Sequence, residues 1–285
     1  MLSPEEHIEQ AYLFRILRER LKLNMPIQEL LDDVKEELLS STDLPTAVGF
    51  LADGLRFSGR MSPSMGRLSH YFTAFQAFVM ACAEEDRAKV DFAMALLLLE
   101  REAEYRAAGT SPQGLFLFQF EAISRNRLGY EDGLDSMALD PVYDADWSQW
   151  LRVVRRDVGL VDLAEMIFLR SEHYHNLREQ QGLDPSKAAE AVLFGEKEGR
   201  IAKAHRRRDP LFLFASFQRH LKYPAVPRPE PPETDPAVLA RMSRKVEQLE
   251  IRVRLLEEEA KGGVDLSKLY VRPPSEDESR KPSEE

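Results

Sequence analysis

Apolar residues recur along most of this chain at the three- and four-residue spacing of an α-helix. One such run falls at i, i+3, i+4, i+7 and i+11 and consists of Ile27, Leu30, Leu31, Val34 and Leu38. Residues at this spacing share one face of a helix, where they can pack against a core. No stretch of four to eight residues alternates cleanly between apolar and polar side chains, as a half-buried strand would. The pattern therefore predicts an all-α protein.

Several predicted helices begin at a Ser or Asp followed by proline. This pair supplies an N-cap oxygen and then a residue whose φ angle suits the first turn. The pairs are Ser3–Pro4, Ser62–Pro63, Ser111–Pro112, Asp184–Pro185, Asp209–Pro210 and Asp235–Pro236. The apolar period continues through residues 62–82 and predicts further helices near 86–107, 112–127, 145–157, 160–180, 196–207 and 210–222. Together these helices predict a multi-helix globular domain over residues 1–223.

Proline marks the end of this domain. Residues 224–235 contain five prolines and read PAVPRPEPPETD, a composition that cannot form a helix and favours an extended, stiff linker. A helical segment over residues 236–261 follows. Residues 262–285 begin with two glycines and continue with Pro, Ser and mixed charges, which predicts a disordered tail.

The segment 236–261 has the heptad pattern of a coiled coil. Its a positions are Leu239, Val246, Val253 and Ala260, and its d positions are Met242, Leu249 and Leu256. Central valines at a with leucines at d favour two parallel strands. In such a dimer Lys245 would face Glu250 of the partner helix, and Arg252 would face Glu257. The pattern predicts a parallel homodimer; the alternatives are another oligomer or partner coil, or a helix folded back on its own domain.

Composition and charge narrow the classes of function. Hydrophobic residues make up 43% of the 285 residues, enough to bury a sizeable core. The net charge of -10 means that any polyanion site must be local. The longest purely apolar run, residues 92–99, is too short to cross a bilayer, and the acidic N-terminus differs from an export signal. These features predict a cytoplasmic protein that does not bind membranes.

The densest group of potential metal ligands lies in the sequence EMIFLRSEHYHNLREQ. Glu172 and His175 form a Glu-x-x-His pair, and Glu165 precedes Glu172 by two helical turns. Carboxylate-bridged di-iron bundles use this spacing because i and i+3 side chains converge on one ion. Such sites need a second Glu-x-x-His pair, which this sequence lacks. The alternative is a solvated polar face, and no cofactor is predicted.

A basic island interrupts the acidic chain. Residues 195–222 hold eight Lys and Arg against three Asp and Glu, and Arg206, Arg207 and Arg208 lie in the basic turn 197–208. These arginines could bind RNA, a ribosome or an acidic protein. The structural alternative is that they end one helix, where cations interact favourably with the helix dipole. Asp209 would then cap a helix whose core face is Leu211, Phe214, Phe217 and Leu221, leaving none of these side chains to stack on a base.

No motif in the sequence specifies a reaction. A Gly-rich phosphate loop, a Gly-x-Ser-x-Gly elbow and a zinc-type cysteine pair are all missing, and the single cysteine, Cys82, is predicted to be buried. The chain is therefore interpreted as a non-enzymatic interaction or scaffold protein, dimerised by its coil and acting on an unknown protein partner. The alternatives are an RNA- or ribosome-associated factor that uses the basic turn, and a helical metal-dependent enzyme with an incomplete motif.

Overall fold

The computed structural model describes residues 2–23, 25–85, 88–182 and 191–229, together with Lys245, Leu249 and Val253. Within these residues the protein is all-α, with no β-strand, which confirms the predicted fold class. The helices are α1 Pro4–Arg20, α2 Ile27–Glu37, α3 Leu44–Ser58, α4 Ser62–Arg67, α5 Ala74–Glu84, α6 Phe92–Ala107, α7 Pro112–Asn126, α8 Tyr130–Ala138, α9 Ala145–Asp157, α10 Leu163–Leu169, α11 Glu172–Gln180, α12 Glu196–His205 and α13 Pro210–Leu221. A 3-10 turn, Leu21–Leu23, follows α1.

The chain divides into two compact units, Met1–Pro229 and Glu230–Glu285. The first unit runs past Tyr223, where the sequence places the end of the globular domain. Val226 packs against the core, and the Pro227 carbonyl accepts a hydrogen bond from Asn126 Nδ2 at 3.0 Å. The predicted linker from residue 230 and the predicted disordered tail, 262–285, lie outside the described residues.

Side-chain caps begin many of the helices. Ser3 forms a capping box with Glu6 at the start of α1, and the Ser111 hydroxyl accepts the Gly114 N–H at the start of α7. At Ser62 the expectation is wrong by one residue, because Met61 is the N-cap of α4. The Glu84 carboxylate accepts hydrogen bonds from the backbone N–H groups of Met61 and Ser62. A side chain from α5 therefore caps the N-terminus of α4.

The helices are shorter and more numerous than the apolar period predicts. Residues 62–82 form α4 and α5, and Thr73 makes a capping box with Gln76 at the start of α5. Residues 160–180 likewise divide into α10 and α11, and the Ser171 hydroxyl caps α11. A capping side chain satisfies orphan N–H groups and stabilises a new helix start even where the apolar spacing continues.

Helix α7 lies at the centre of the helical unit. Every residue from Gly114 to Ile123 is buried, and α7 packs against α6, α8 and α13. Its Phe116 ring joins an aromatic cluster with Trp147, Trp150 and Phe194; the Phe116 and Trp150 ring centroids lie 4.8 Å apart. Although α7 is buried on all sides, none of the described helices combines the length and apolar character required to cross a membrane.

Three charged side chains meet in the core, two from α6 and one from Asp140, which lies two residues after the end of α8. Arg106 Nη2 donates to Glu102 Oε1 at 2.9 Å and to the Asp140 carboxylate, and all three side chains are at most 4% exposed. Gln119 Nε2 also donates to Glu102 Oε1, at 2.8 Å, and the Val142 N–H donates to Asp140 Oδ1. Buried charges are tolerated when they are paired and hydrogen-bonded, so we call these three residues the core ion triad.

His7 on α1 makes folding stability depend on pH near neutrality. Burial lowers the pKa of His7 below its ordinary 6.5 and the Arg106 charge lowers it further, while Gln10, Glu6 and Asp140 oppose the shift. As pH falls below about 6.5 the unfolded chain therefore takes up this proton before the folded chain does, and the folded state loses stability. Urea unfolding measures the free energy of unfolding at pH 7.5 and at pH 5.5. Between these two values the free energy of unfolding should fall further in wild type than in His7→Gln. Equal losses in the two proteins would contradict this prediction.

Candidate functional site

The junction of α12 and α13 displays the basic residues that the sequence singled out. Helix α12 ends at His205, and Arg207 adopts a positive φ of 59°, which reverses the chain within a short turn. Asp209 Oδ1 then accepts the Leu211 N–H at 2.9 Å and begins α13, with Pro210 in its first position. The turn therefore brings the end of one helix beside the start of the next.

The three arginines of the basic turn have different roles. Arg206 pairs with Glu165 of α10 and lies over the Phe168 ring, with its guanidinium carbon 4.9 Å from the ring centroid. Arg207 donates its backbone N–H to Asp162 Oδ2 at 2.6 Å, which ties the turn to the start of α10. Arg208 is exposed and forms no ion pair with another described residue. Among the described residues, Arg206 is therefore the member of the turn that has an ion-pair partner, and the guanidinium groups of Arg207 and Arg208 have none.

A shallow concavity of about 670 Å³ lies beside Arg208. Its lining residues are His205, Arg208, Asp209, Phe212, Ala215, Ser216 and Arg219. We call it the basic–aromatic surface. Arg219 is exposed and, like Arg208, has no ion-pair partner among the described residues. His205 Nε2 and Ser216 Oγ lie 2.9 Å apart across the floor. The surface thus offers two guanidinium groups and a hydroxyl–imidazole pair against one carboxylate.

Phe212 contributes an aromatic ring to this surface. Its side chain is 62% exposed, whereas Phe214 and Phe217 of the same helix are buried. The prediction that α13 presents Phe214 and Phe217 to the core is confirmed, but Leu211 was assigned wrongly, because it is 49% exposed. Leu213 takes the core position in the first turn instead. The missed signal was the helical period itself: Phe212, Ser216 and Arg219 recur at i, i+4 and i+7, on a face away from Phe214 and Phe217.

The residues proposed as metal ligands have other partners in the structure. Glu165 pairs with Arg206, and Glu172 Oε2 accepts the Glu196 N–H at 3.1 Å. The His175 ring packs edge-on against Tyr174, with ring centroids 6.1 Å apart. Across the part of the chain that the structure describes, no three His, Cys, Asp or Glu side chains are grouped to hold a metal ion. The metal hypothesis stays a prediction, which stoichiometric metal analysis of the purified protein tests.

The structure brings His173, rather than His175, against a carboxylate. His173 Nδ1 lies 2.9 Å from Glu196 Oε1, and Asn176 and Arg200 donate to the same carboxylate. The hydrogen bond from His173 is the main reason why the pKa of Glu196 is below its ordinary value. These contacts join α11 to α12 at a concavity of about 620 Å³. The Glu196 carboxylate already accepts hydrogen bonds from three neighbouring side chains. These hydrogen bonds stabilise the packing of α11 against α12.

Cys82 is buried, as predicted, with 1% of its surface exposed. Burial is the main cause that raises the pKa of its thiol to about 11. A thiol with so high a pKa carries little thiolate at neutral pH, and the thiolate is the nucleophilic form. Cys82 therefore acts as a small core residue.

Three residues of the predicted coil are described, namely Lys245, Leu249 and Val253, and all are helical. Leu249 is 55% exposed and Val253 is 52% exposed in the single chain. Their spacing of four residues matches adjacent d and a positions of the heptad. The other predicted coil residues, Leu239, Met242, Val246, Glu250, Arg252, Leu256, Glu257 and Ala260, lie outside the described residues.

Comparison with known proteins does not assign this chain to a family. No protein-family model, curated protein or solved structure matches it. The basic–aromatic surface and the heptad pattern are therefore the features of this chain that indicate a function.

Proposed function

We propose that this chain is a non-enzymatic interaction protein that binds an anionic partner through its basic–aromatic surface and forms dimers through its C-terminal coil. One observation carries the proposal: the exposed Phe212 ring shares a concavity with Arg208 and Arg219, neither of which has an ion-pair partner among the described residues. The chain as a whole has a net charge of -10, so this group of cations is a local exception to its acidic balance. Their positive charge supports the binding of an anion at this face.

The residue types on the surface support a role in recognition. Arginine and aromatic residues are enriched at protein interfaces, where the ring is covered and the guanidinium group forms charge-assisted hydrogen bonds. Phe212 buries little of its ring within the helical unit, so its packing there contributes little to folding. A partner that covered the ring would gain this apolar contact together with the two arginine contacts.

The predicted coil would place two such surfaces in one assembly. The half-exposed Leu249 and Val253 support this part of the proposal, because a second helix at the heptad seam would cover them. Two copies of a weak site bind a repetitive or extended partner more strongly than one, since the second contact is made at high effective concentration. The coil is thus proposed to strengthen binding without adding a contact to the site.

Reversing both arginine charges tests the proposed site. Arg208→Glu with Arg219→Glu should weaken binding of heparin and of polyglutamate at 50 mM salt by at least about tenfold, because attraction becomes repulsion at the surface. The measurement is fluorescence anisotropy with labelled polyanion and the full chain.

The matched control is Lys35→Glu with Arg152→Glu. Both control residues are exposed, and their reversal changes the net charge by the same amount. Equal weakening in the two double variants would show that only overall charge matters, and this would reject the proposed site. If wild type binds neither heparin nor polyglutamate at 50 mM salt, the proposed function is wrong.

A further inference from the structure

We infer that the anionic partner is a single-stranded nucleic acid, with one base stacked on Phe212 and neighbouring phosphates held by Arg208 and Arg219. This inference rests on the proposed function and names the class of its partner. The observation that separates nucleic acid from other anions is the exposed ring, since a base offers a planar face and a simple carboxylate does not.

The positions along α13 suit a strand that crosses the ring. Arg208 lies just before the helix and Arg219 lies seven residues after Phe212, which is roughly 10 Å along the axis at 1.5 Å per residue. Along the chain, Phe212 therefore lies between the two arginines, and all three residues line the same concavity. In a single strand each base is flanked by a phosphate on both sides, so a base on Phe212 directs its two phosphates towards opposite ends of this surface.

The surroundings of the ring extend the same chemistry. Lys203, Arg207 and Lys222 are also exposed near the ends of α12 and α13. Their charges attract a phosphate backbone without reading its sequence. Ser216 and His205 line the same concavity, where the hydroxyl and imidazole groups can exchange hydrogen bonds with a base or a sugar. The surface therefore has both parts of a site that binds single strands of any sequence. These parts are an aromatic ring on which a base can stack and a row of cations that attract the phosphates.

Binding of a labelled thymidylate 12-mer to the full chain tests the inference. Phe212→Leu should weaken binding by about 5- to 150-fold, the range found when one stacking ring is removed. Phe212→Trp should retain binding, since it restores a stacking ring. Phe57→Leu is the matched control, because Phe57 is 95% exposed on α3 and its replacement should have no effect. Circular dichroism of each variant verifies that the helices remain.

Two further probes separate stacking from charge. An abasic 12-mer keeps the phosphates and lacks the bases, so wild type should bind it more weakly and Phe212→Leu should not weaken it further. The slope of log affinity against log salt for the thymidylate 12-mer should become shallower by about 0.7 in Arg219→Gln, the value for one phosphate contact on a single strand. An unchanged slope would contradict the role given to Arg219.

The outcomes distinguish this inference from the proposed function. If polyglutamate binds while the 12-mer does not, or if Phe212→Leu binds the 12-mer as wild type does, the nucleic-acid inference is wrong and an acidic protein becomes the partner class. If wild type binds none of the 12-mer, heparin and polyglutamate at 50 mM salt, the proposed function fails together with the inference.

Discussion

Replacing Arg106 with leucine is expected to lower the free energy of unfolding at pH 7 by about 3–5 kcal/mol, the usual cost of breaking a buried ion pair by removing one partner. The guanidinium group bridges Glu102 and Asp140, whose side chains are both fully buried. Without it, two carboxylates remain in the core with no cation between them. Urea unfolding followed by circular dichroism measures the change. A loss below about 1 kcal/mol, as for an exposed pair, would contradict the role of the core ion triad.

Two further variants show whether the loss comes from the unpaired charges. Glu102→Gln, Arg106→Leu and Asp140→Asn together remove all three charges, and stability should recover substantially, because replacing a whole buried ion network is often neutral. Arg155→Leu breaks exposed pairs with Glu131 and Asp135 and should cost less than about 1 kcal/mol. If the triple variant is no more stable than Arg106→Leu, the lost packing of the arginine stem explains the effect instead.

Replacing both Leu249 and Val253 with aspartate is expected to halve the mass of the protein in solution. The predicted homodimer has twice the chain mass of 32.7 kDa, and the double variant should have the mass of one chain. In the heptad these residues occupy adjacent d and a positions, where a dimer would bury their side chains against the second helix. The double variant would bury four carboxylates per dimer in the seam without a cation to pair with them. The cost of burying these charges exceeds what a short coil gains by association, so the two chains should separate.

Light scattering after size exclusion measures this change. Gln248→Asp with Arg254→Asp is the matched control, because it introduces the same number of carboxylates at c and b positions outside the seam. The control should keep the mass of wild type. A wild-type mass of one chain, or an unchanged mass in the Leu249 and Val253 variant, would show that the predicted coil does not join two copies.

The helical character of the chain was predictable because it depends on neighbours in sequence. Ser3 and Glu6 cap α1 with side chains three residues apart, and the apolar face of α2 repeats at helical spacing. The breaks at Thr73 and Ser171 were missed although both are capping residues, because the apolar period continues across them. Helix α8 was missed for another reason: its N-cap Gly129 has no capping side chain, and its packing against α5 joins segments that are distant along the chain.

The candidate site was only partly predictable. The sequence located the basic turn and assigned Asp209 as a helix cap, both of which are local features. It could not show that Glu165 would neutralise Arg206, since these residues meet only when α10 packs beside α12. The sequence did place Phe214 and Phe217 on the core face of α13, but it could not show that Leu213 rather than Leu211 joins them, because that depends on how α13 packs against α7 and α10.

By itself, the sequence determined the all-α class, the start of α1, α7 and α13 at their capping residues, the burial of Cys82 and the place of the basic island. These properties follow from backbone hydrogen bonds and side-chain caps within a few residues, and from the apolar spacing that such bonds impose. Tertiary structure alone decided which charges are neutralised, as in the core ion triad and at Arg206, and which remain exposed, as at Arg208 and Arg219. Arg106 lies far from Asp140 along the chain, and Arg206 lies far from Glu165, so only tertiary packing brings these partners within range of each other's charge.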